Sequence, residues 1–186
     1  SEAPAMMNES THIGRNQLLD HKKGWITTVD GYTQRIFAEG HAAEESARPI
    51  VEQIIGEELY PVVGVLEGTN KMASFDGLTM MGDIVYEHKL WNKTLAENVR
   101  NEVLEPTYYW QLEQLLLVSG AETVIFVCSD GTEENMVYMW YRSIPERRQA
   151  LLAGWDQFEK DLATHELKAK EEKVTADVIT SLPALD

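Results

Sequence analysis

The sequence predicts an α/β fold, a central mixed β-sheet flanked by helices. Apolar residues recur at helical spacing over residues 34–55 and 106–119. Short β-rich runs separated by turn signals occupy residues 60–90, and two more follow between 122 and 142. The resulting order is helix, several strands, helix, two strands, helix, which folds most simply as a sheet layered with helices.

Taken in order, residues 34–55 place Glu44, Ala47, Val51 and Ile55 on one helix face. Pro49 lies inside this pattern and predicts a kink or a restart. A carboxylate on an apolar face is costly unless it is paired or holds a metal. Residues 60–66 and 71–75 form two strands around the turn Glu67-Gly68-Thr69-Asn70, and Asp76 then sits at a strand end before Gly77. In the strand over residues 83–90, alternation puts Ile84, Tyr86, His88 and Leu90 on one face and Val85, Glu87 and Lys89 on the other. Residues 93–103 are helical or loop-helix. Pro106 opens the next helix and Gly120 stops it, with Tyr108, Gln111, Leu115 and Val118 expected on its inner face. Residues 122–128 and 136–142 make a hairpin across Ser129-Asp130-Gly131-Thr132, and Pro145 opens a last helix to about His165.

A chain of 186 residues fits one domain, expected over residues 1–167, with a polar C-terminal tail at 168–186. The opening Ser1-Glu2-Ala3-Pro4-Ala5-Met6-Met7 reads as the middle of something, so residues upstream are expected. Neither a membrane-length apolar run nor a signal-peptide pattern is present, which makes a cytoplasmic protein the default. Cys128 is the single cysteine, which excludes an internal disulfide and a Cys-rich zinc site; within Val124-Ile125-Phe126-Val127-Cys128 it reads as a core thiol. His12, His21, His41 and His165 lack zinc spacing, and Trp25, Trp91, Trp110, Trp140 and Trp155 read as core or interface residues before base-stacking ones. The net charge of −15 argues against a nonspecific nucleic-acid binder, but a metal-dependent nuclease needs clustered carboxylates and tolerates such a balance.

Asp76, Glu87 and Lys89 stand out. Paired neighbouring strands would bring the two carboxylates together with the lysine beside them. Carboxylates that close repel unless a cation lies between them, and hard oxygen ligands select magnesium or manganese. Such an ion acidifies a bound water, while Lys89 would orient or deprotonate that water and offset developing charge. Glu44 is a natural further ligand. The bare pattern leaves the plain alternative open, in which Asp76 is a turn residue and Glu87 and Lys89 a solvated strand pair.

Several segments, in order, resemble the lambda-exonuclease-type alkaline exonucleases (YqaJ-like viral recombinases), a branch of the PD-(D/E)xK nuclease superfamily. Ser1-Glu2-Ala3 resembles the end of the family's serine motif. The segment from Gly40 through Glu44 and Ala47 to Arg48 is similar to its G-x-x-x-E-x-x-A-R helix. Ala73-Ser74-Phe75-Asp76-Gly77-Leu78 resembles S-P-D-G-L, Tyr86-Glu87-His88-Lys89 the E-x-K strand, and Tyr108-Tyr109-Trp110-Gln111-Leu112 the Y-x-x-Q-V-Q helix. Phe75 stands for the usual proline, Glu113 for the second glutamine, and the arginine upstream of the serine motif has no counterpart here.

The resemblance implies a PD-(D/E)xK restriction-endonuclease-like core. It further implies a magnesium-dependent (manganese possible) exonuclease that degrades the 5′-ended strand of duplex DNA to mononucleotides, leaving a 3′ strand for recombination. Asp76, Glu87 and Lys89 would be catalytic. Glu44, Asp76, Glu87 and the His88 backbone carbonyl would bind metal, and Ser1, Ser74 and Gln111 would grip the 5′-phosphate. The implied partners are double-stranded DNA ends, two further copies in a homotrimeric ring, and a single-strand annealing protein, in a bacterial or phage-infected cell. The rivals are a related endonuclease or resolvase, an inactive DNA-end-binding scaffold, and an acidic interaction domain with accidental motifs.

Overall fold

A computed structural model describes residues 1–167. The expected tail at residues 168–186 lies outside the described residues. The elements are α1 (Ala3–Met6), α2 (Arg15–Lys22), α3 (Gly31–Ile55), β1 (Tyr60–Val65), β2 (Met72–Leu78), β3 (Ile84–Leu90), α4 (Lys93–Arg100), α5 (Pro106–Ser119), β4 (Thr123–Ser129), β5 (Met136–Tyr141) and α6 (Pro145–Thr164). The five strands form one sheet in the order β1-β2-β3-β4-β5. Every neighbouring pair is antiparallel except β3–β4, whose parallel pairing requires the crossover that α4 and α5 supply. Among the described residues, no helix is long and apolar enough to cross a membrane.

The alternation in β3 decides the layering. Val85 packs with Leu112, Leu115 and Phe126 beneath α4 and α5, whereas Tyr86 packs with Val51, Ile125 and Val127 beneath α3. A third apolar cluster lies behind α5, where Trp110 meets Leu18 and Leu19 of α2 and Leu151 and Phe158 of α6. α5 is therefore buried on two sides. Its buried residues are Trp110, Leu112, Glu113, Gln114, Leu115 and Leu116, a wider face than the one expected, because the N-terminal helices and α6 cover its back. Gly120 takes a left-handed φ of 68° to end α5, as the sequence implied.

Two expectations need correction. Pro49 does not interrupt α3, which continues to Ile55. The proline removes one helical donor, but Ala47 and Val51, both fully buried against the sheet, hold the two sides of that gap in place. Asp76 does not end its strand either, since β2 runs on to Leu78.

Candidate active site

The site is built on an irregularity in β2. On one side, Val62 pairs with Phe75 and Tyr60 with Leu78, so the register slips by one residue around Asp76 and Gly77. On the other side, the ladder to β3 comprises Gly77–Tyr86 and Leu78–Val85 and goes no further toward Asp76. Such a bulge re-aims a side chain and parts the strands. Gly77 is required there, because a Cβ would fall 2.9 Å from the Leu59 Cβ and 3.1 Å from the Tyr86 ring. Where the ladder has parted, the Asp76 carboxylate takes the place of a strand partner and accepts the His88 backbone N–H at 2.8 Å.

Glu87 and Lys89 leave β3 on the α5 side. The Glu87 carboxylate is buried, and two donors converge on its Oε1: Lys89 Nζ at 2.8 Å and Gln111 Nε2 at 2.7 Å. From α3, Arg48 donates through Nη2 to Glu44 Oε1 at 2.8 Å and through Nε to the Asp76 carbonyl at 3.2 Å. The Tyr86 hydroxyl donates to the Glu44 backbone carbonyl at 3.1 Å, a second tie between helix and sheet.

Electrostatics show that these groups sense one another. Burial pushes the Asp76 carboxyl up to about 8, and the charges of Glu87 and Glu44 add to the rise against the His88 N–H. Burial alone would lower Lys89, but Glu87, the hydrogen bond to it and Asp76 outweigh that and hold the ammonium above its usual range. The plain alternative, a solvated strand pair beside a turn residue, does not describe this set: Glu87 is 3% exposed and Asp76 lies within reach of both other carboxylates.

The set is chemically suited to a hard divalent cation, because Asp76 feels the charges of both Glu87 and Glu44, a repulsion such an ion would relieve. Among the described residues, no three His, Cys, Asp or Glu side chains already stand close enough to enclose one. The fit therefore lies in the donor chemistry, not in a preformed cage.

Beside the carboxylates lies a cavity of about 410 Å³ whose walls include Ser1, Ser74 and Gln111, together with Lys22, Lys71 and Trp155. The residues grouped by resemblance as phosphate contacts thus share one cavity, and Gln111 belongs both to it and to Glu87. Ser1 Oγ accepts the Ala3 N–H at 3.4 Å. Lys22 is engaged by Glu2 at 2.7 Å.

The sheet order, crossover and helix layers can be set beside solved structures. LHK-Exo in complex with dAMP superposes with a TM-score of 0.70 at 16% identity, covering 88% of this chain and 86% of that one. A second structure of LHK-Exo, an alkaline exonuclease from Laribacter hongkongensis, gives a TM-score of 0.65 at 16% identity over 87% and 88% of the two chains. The chain has the fold of an alkaline exonuclease. No protein-family model and no curated protein matches it by sequence. The expected fold class is the observed one, although identity this low carries the fold alone.

Of the other residues that the sequence singled out, His88, Cys128 and His165 turn their side chains to other partners. The His88 ring, pushed down to about 4 by burial, faces away from Glu87 and sits 2.7 Å from Ser129 Oγ, as a structural side chain should. Cys128 is fully buried in the core. His165 lies 2.6 Å from Asp20, whereas the exposed His41 stays at the edge of the site, 3.5 Å from Glu44 and 3.2 Å from Glu45. Sequence reasoning gave no role to Arg48 or Glu113. The first had a signal, a glutamate four residues upstream on the same helix face. Glu113 had none: its partners, the Tyr141 hydroxyl at 2.5 Å, the Ser143 hydroxyl at 2.7 Å and the Ile144 N–H at 2.8 Å, come from about 30 residues downstream.

Proposed function

We propose that the chain is a metal-dependent deoxyribonuclease, an exonuclease that degrades the 5′-ended strand of duplex DNA and leaves a 3′ single strand for recombination. The observation that supports this most is the meeting of Glu44, Asp76, Glu87 and Lys89 at the parted β2–β3 seam. The fold it shares with an alkaline exonuclease adds to that reading.

In this reading Asp76 and Glu87, with Glu44 and the His88 carbonyl, hold magnesium or manganese. A bound divalent cation would acidify a water and stabilise charge on the phosphoryl oxygens. Lys89, kept protonated by its carboxylate neighbours, orients the attacking water and offsets charge as the phosphodiester opens. Gln111 and Lys89 fix the Glu87 carboxylate by holding one of its oxygens. Ser1, Ser74 and Gln111 receive the terminal 5′-phosphate, to which hydroxyl and amide hydrogens can donate. Three copies close into a ring around the duplex, which would let an acidic subunit hold DNA, and exposed Tyr32, Phe37, Val63 and Val65 offer apolar surface to a neighbouring copy. A single-strand annealing protein receives the 3′ strand.

The test is digestion of linear duplex DNA carrying a 5′-phosphate on one strand only, with magnesium or with EDTA, beside Asp76→Ala. Magnesium-dependent loss of the phosphorylated strand is expected, with the variant slower by on the order of 10³-fold. Cutting of closed circular DNA would instead favour an endonuclease. Bound but uncut ends would favour an inactive end-binding scaffold.

A further inference from the structure

Arg48 bridges α3 and β2 beside the carboxylates. Its guanidinium spans two elements: Nη2 holds the Glu44 carboxylate of α3 at 2.8 Å, and Nε holds the Asp76 carbonyl of β2 at 3.2 Å. Both side chains of the pair are largely shielded, at 17% exposure for Arg48 and 15% for Glu44. The contact to Asp76 falls at the bulge, where the ladder to β3 has ended and the backbone of β2 has lost that support. One planar fork therefore ties a helix carboxylate to the backbone carbonyl of the strand residue that bears the second carboxylate.

We propose that Arg48 is a positioning residue, a strut that fixes Glu44 against Asp76 so that the two can serve a divalent cation together. This rests on the proposed metal-dependent reading of the site. Without the strut, nothing joins the Glu44 carboxylate to the Asp76 backbone, and the long side chain of Glu44 is free to turn away from the strand. The planar fork is what the task needs. A lysine has the same charge but a single ammonium head, and cannot hold a carboxylate and a carbonyl in a fixed relative geometry. The loss in Arg48→Lys thus reports geometry, with net charge unchanged.

The experiment measures Mn²⁺ affinity of the otherwise metal-free chain by electron paramagnetic resonance, in a cycle of Arg48→Lys, Glu44→Gln and the double variant. Thermal unfolding of the same samples checks that each is folded. Arg48→Lys should weaken Mn²⁺ binding about tenfold, the lower end for groups that orient ligands. The double variant should bind no more weakly than Glu44→Gln, because the strut acts through Glu44. In Arg48→Ala, added methylguanidinium should restore part of the lost affinity and methylammonium should not, which also serves if the lysine variant fails to fold. Unchanged or tighter binding in Arg48→Lys, or losses that simply add, would overturn the strut and leave the metal site standing. Absence of Mn²⁺ binding by the unsubstituted chain would overturn both.

Discussion

Two carboxylates, the buried Glu113 and the half-buried Asp76, are treated in opposite ways. Glu113 is fully buried and satisfied: the Tyr141 hydroxyl and Ile144 N–H donate to one oxygen and the Ser143 hydroxyl to the other, joining α5 to the turn between β5 and α6. Asp76 accepts the His88 N–H; burial and the charges of Glu87 and Glu44 outweigh that bond and the nearby Lys89, so its proton is held to about pH 8. The sheet differs in the same way. β3 and β4 pair without a break from Ile84–Thr123 to Leu90–Ser129, whereas β2 and β3 part before Asp76. Glu113, which builds the fold, is supplied with donors; Asp76 is left with one N–H and crowded by its own kind, the pattern a carboxylate meant for chemistry would show.

Glu113 is where this contrast is most exposed to mutation. Glu113→Ala leaves two hydroxyls and an N–H without their acceptor and should lower unfolding free energy by about 3 kcal/mol. Glu113→Gln keeps an acceptor oxygen and should cost about 1 kcal/mol. Urea unfolding measures both. Cleavage per folded molecule should stay within a few-fold, and a large loss of activity in a fully folded Glu113→Gln would move this residue from the frame into the site.

Asp76, the other half of the contrast, should show a smaller effect, through pH. With divalent cations removed, Asp76 is raised in the folded chain from an ordinary 3.8 to about 8, so its contribution is present below pH 3.8 and lost as pH climbs toward 8. His88 is lowered from 6.5 to about 4, so its contribution is present above pH 6.5 and lost as pH falls toward 4. Between about 4 and 6.5 the two oppose each other; from 6.5 to 8 Asp76 acts alone. Melting temperature of the cation-free chain should therefore fall across that upper window, and Asp76→Asn should flatten it. A wild-type curve that rises there would contradict the assigned direction.

The same contrast explains what the sequence made legible. Local signals carried far: Pro106 and Gly120 bound α5 at the expected residues, and the alternation in β3 put Glu87 and Lys89 on one side. Asp76, Gly77 and Glu44 were marked by residue type and spacing. The bulge was not legible, because a register slip depends on how β1 and β3 each pair with β2. The continuity of α3 through Pro49 was hidden too, since burial of Ala47 and Val51 outweighs a local helix-breaking preference. Glu113 acquires its partners only when distant segments meet, and so does the Arg48 contact to the Asp76 carbonyl, whereas the four-residue spacing announced its pairing with Glu44.

If Asp76 is kept short of donors in order to receive a cation, binding the cation must displace its proton. Isothermal titration of the metal-free chain with magnesium at pH 7, in two buffers of different ionisation enthalpy, counts that proton. Because the Asp76 proton is held to about pH 8, cation binding should release close to one proton, and Asp76→Asn should abolish that release. Magnesium binding with no proton released, or no binding at all, would contradict this role for Asp76.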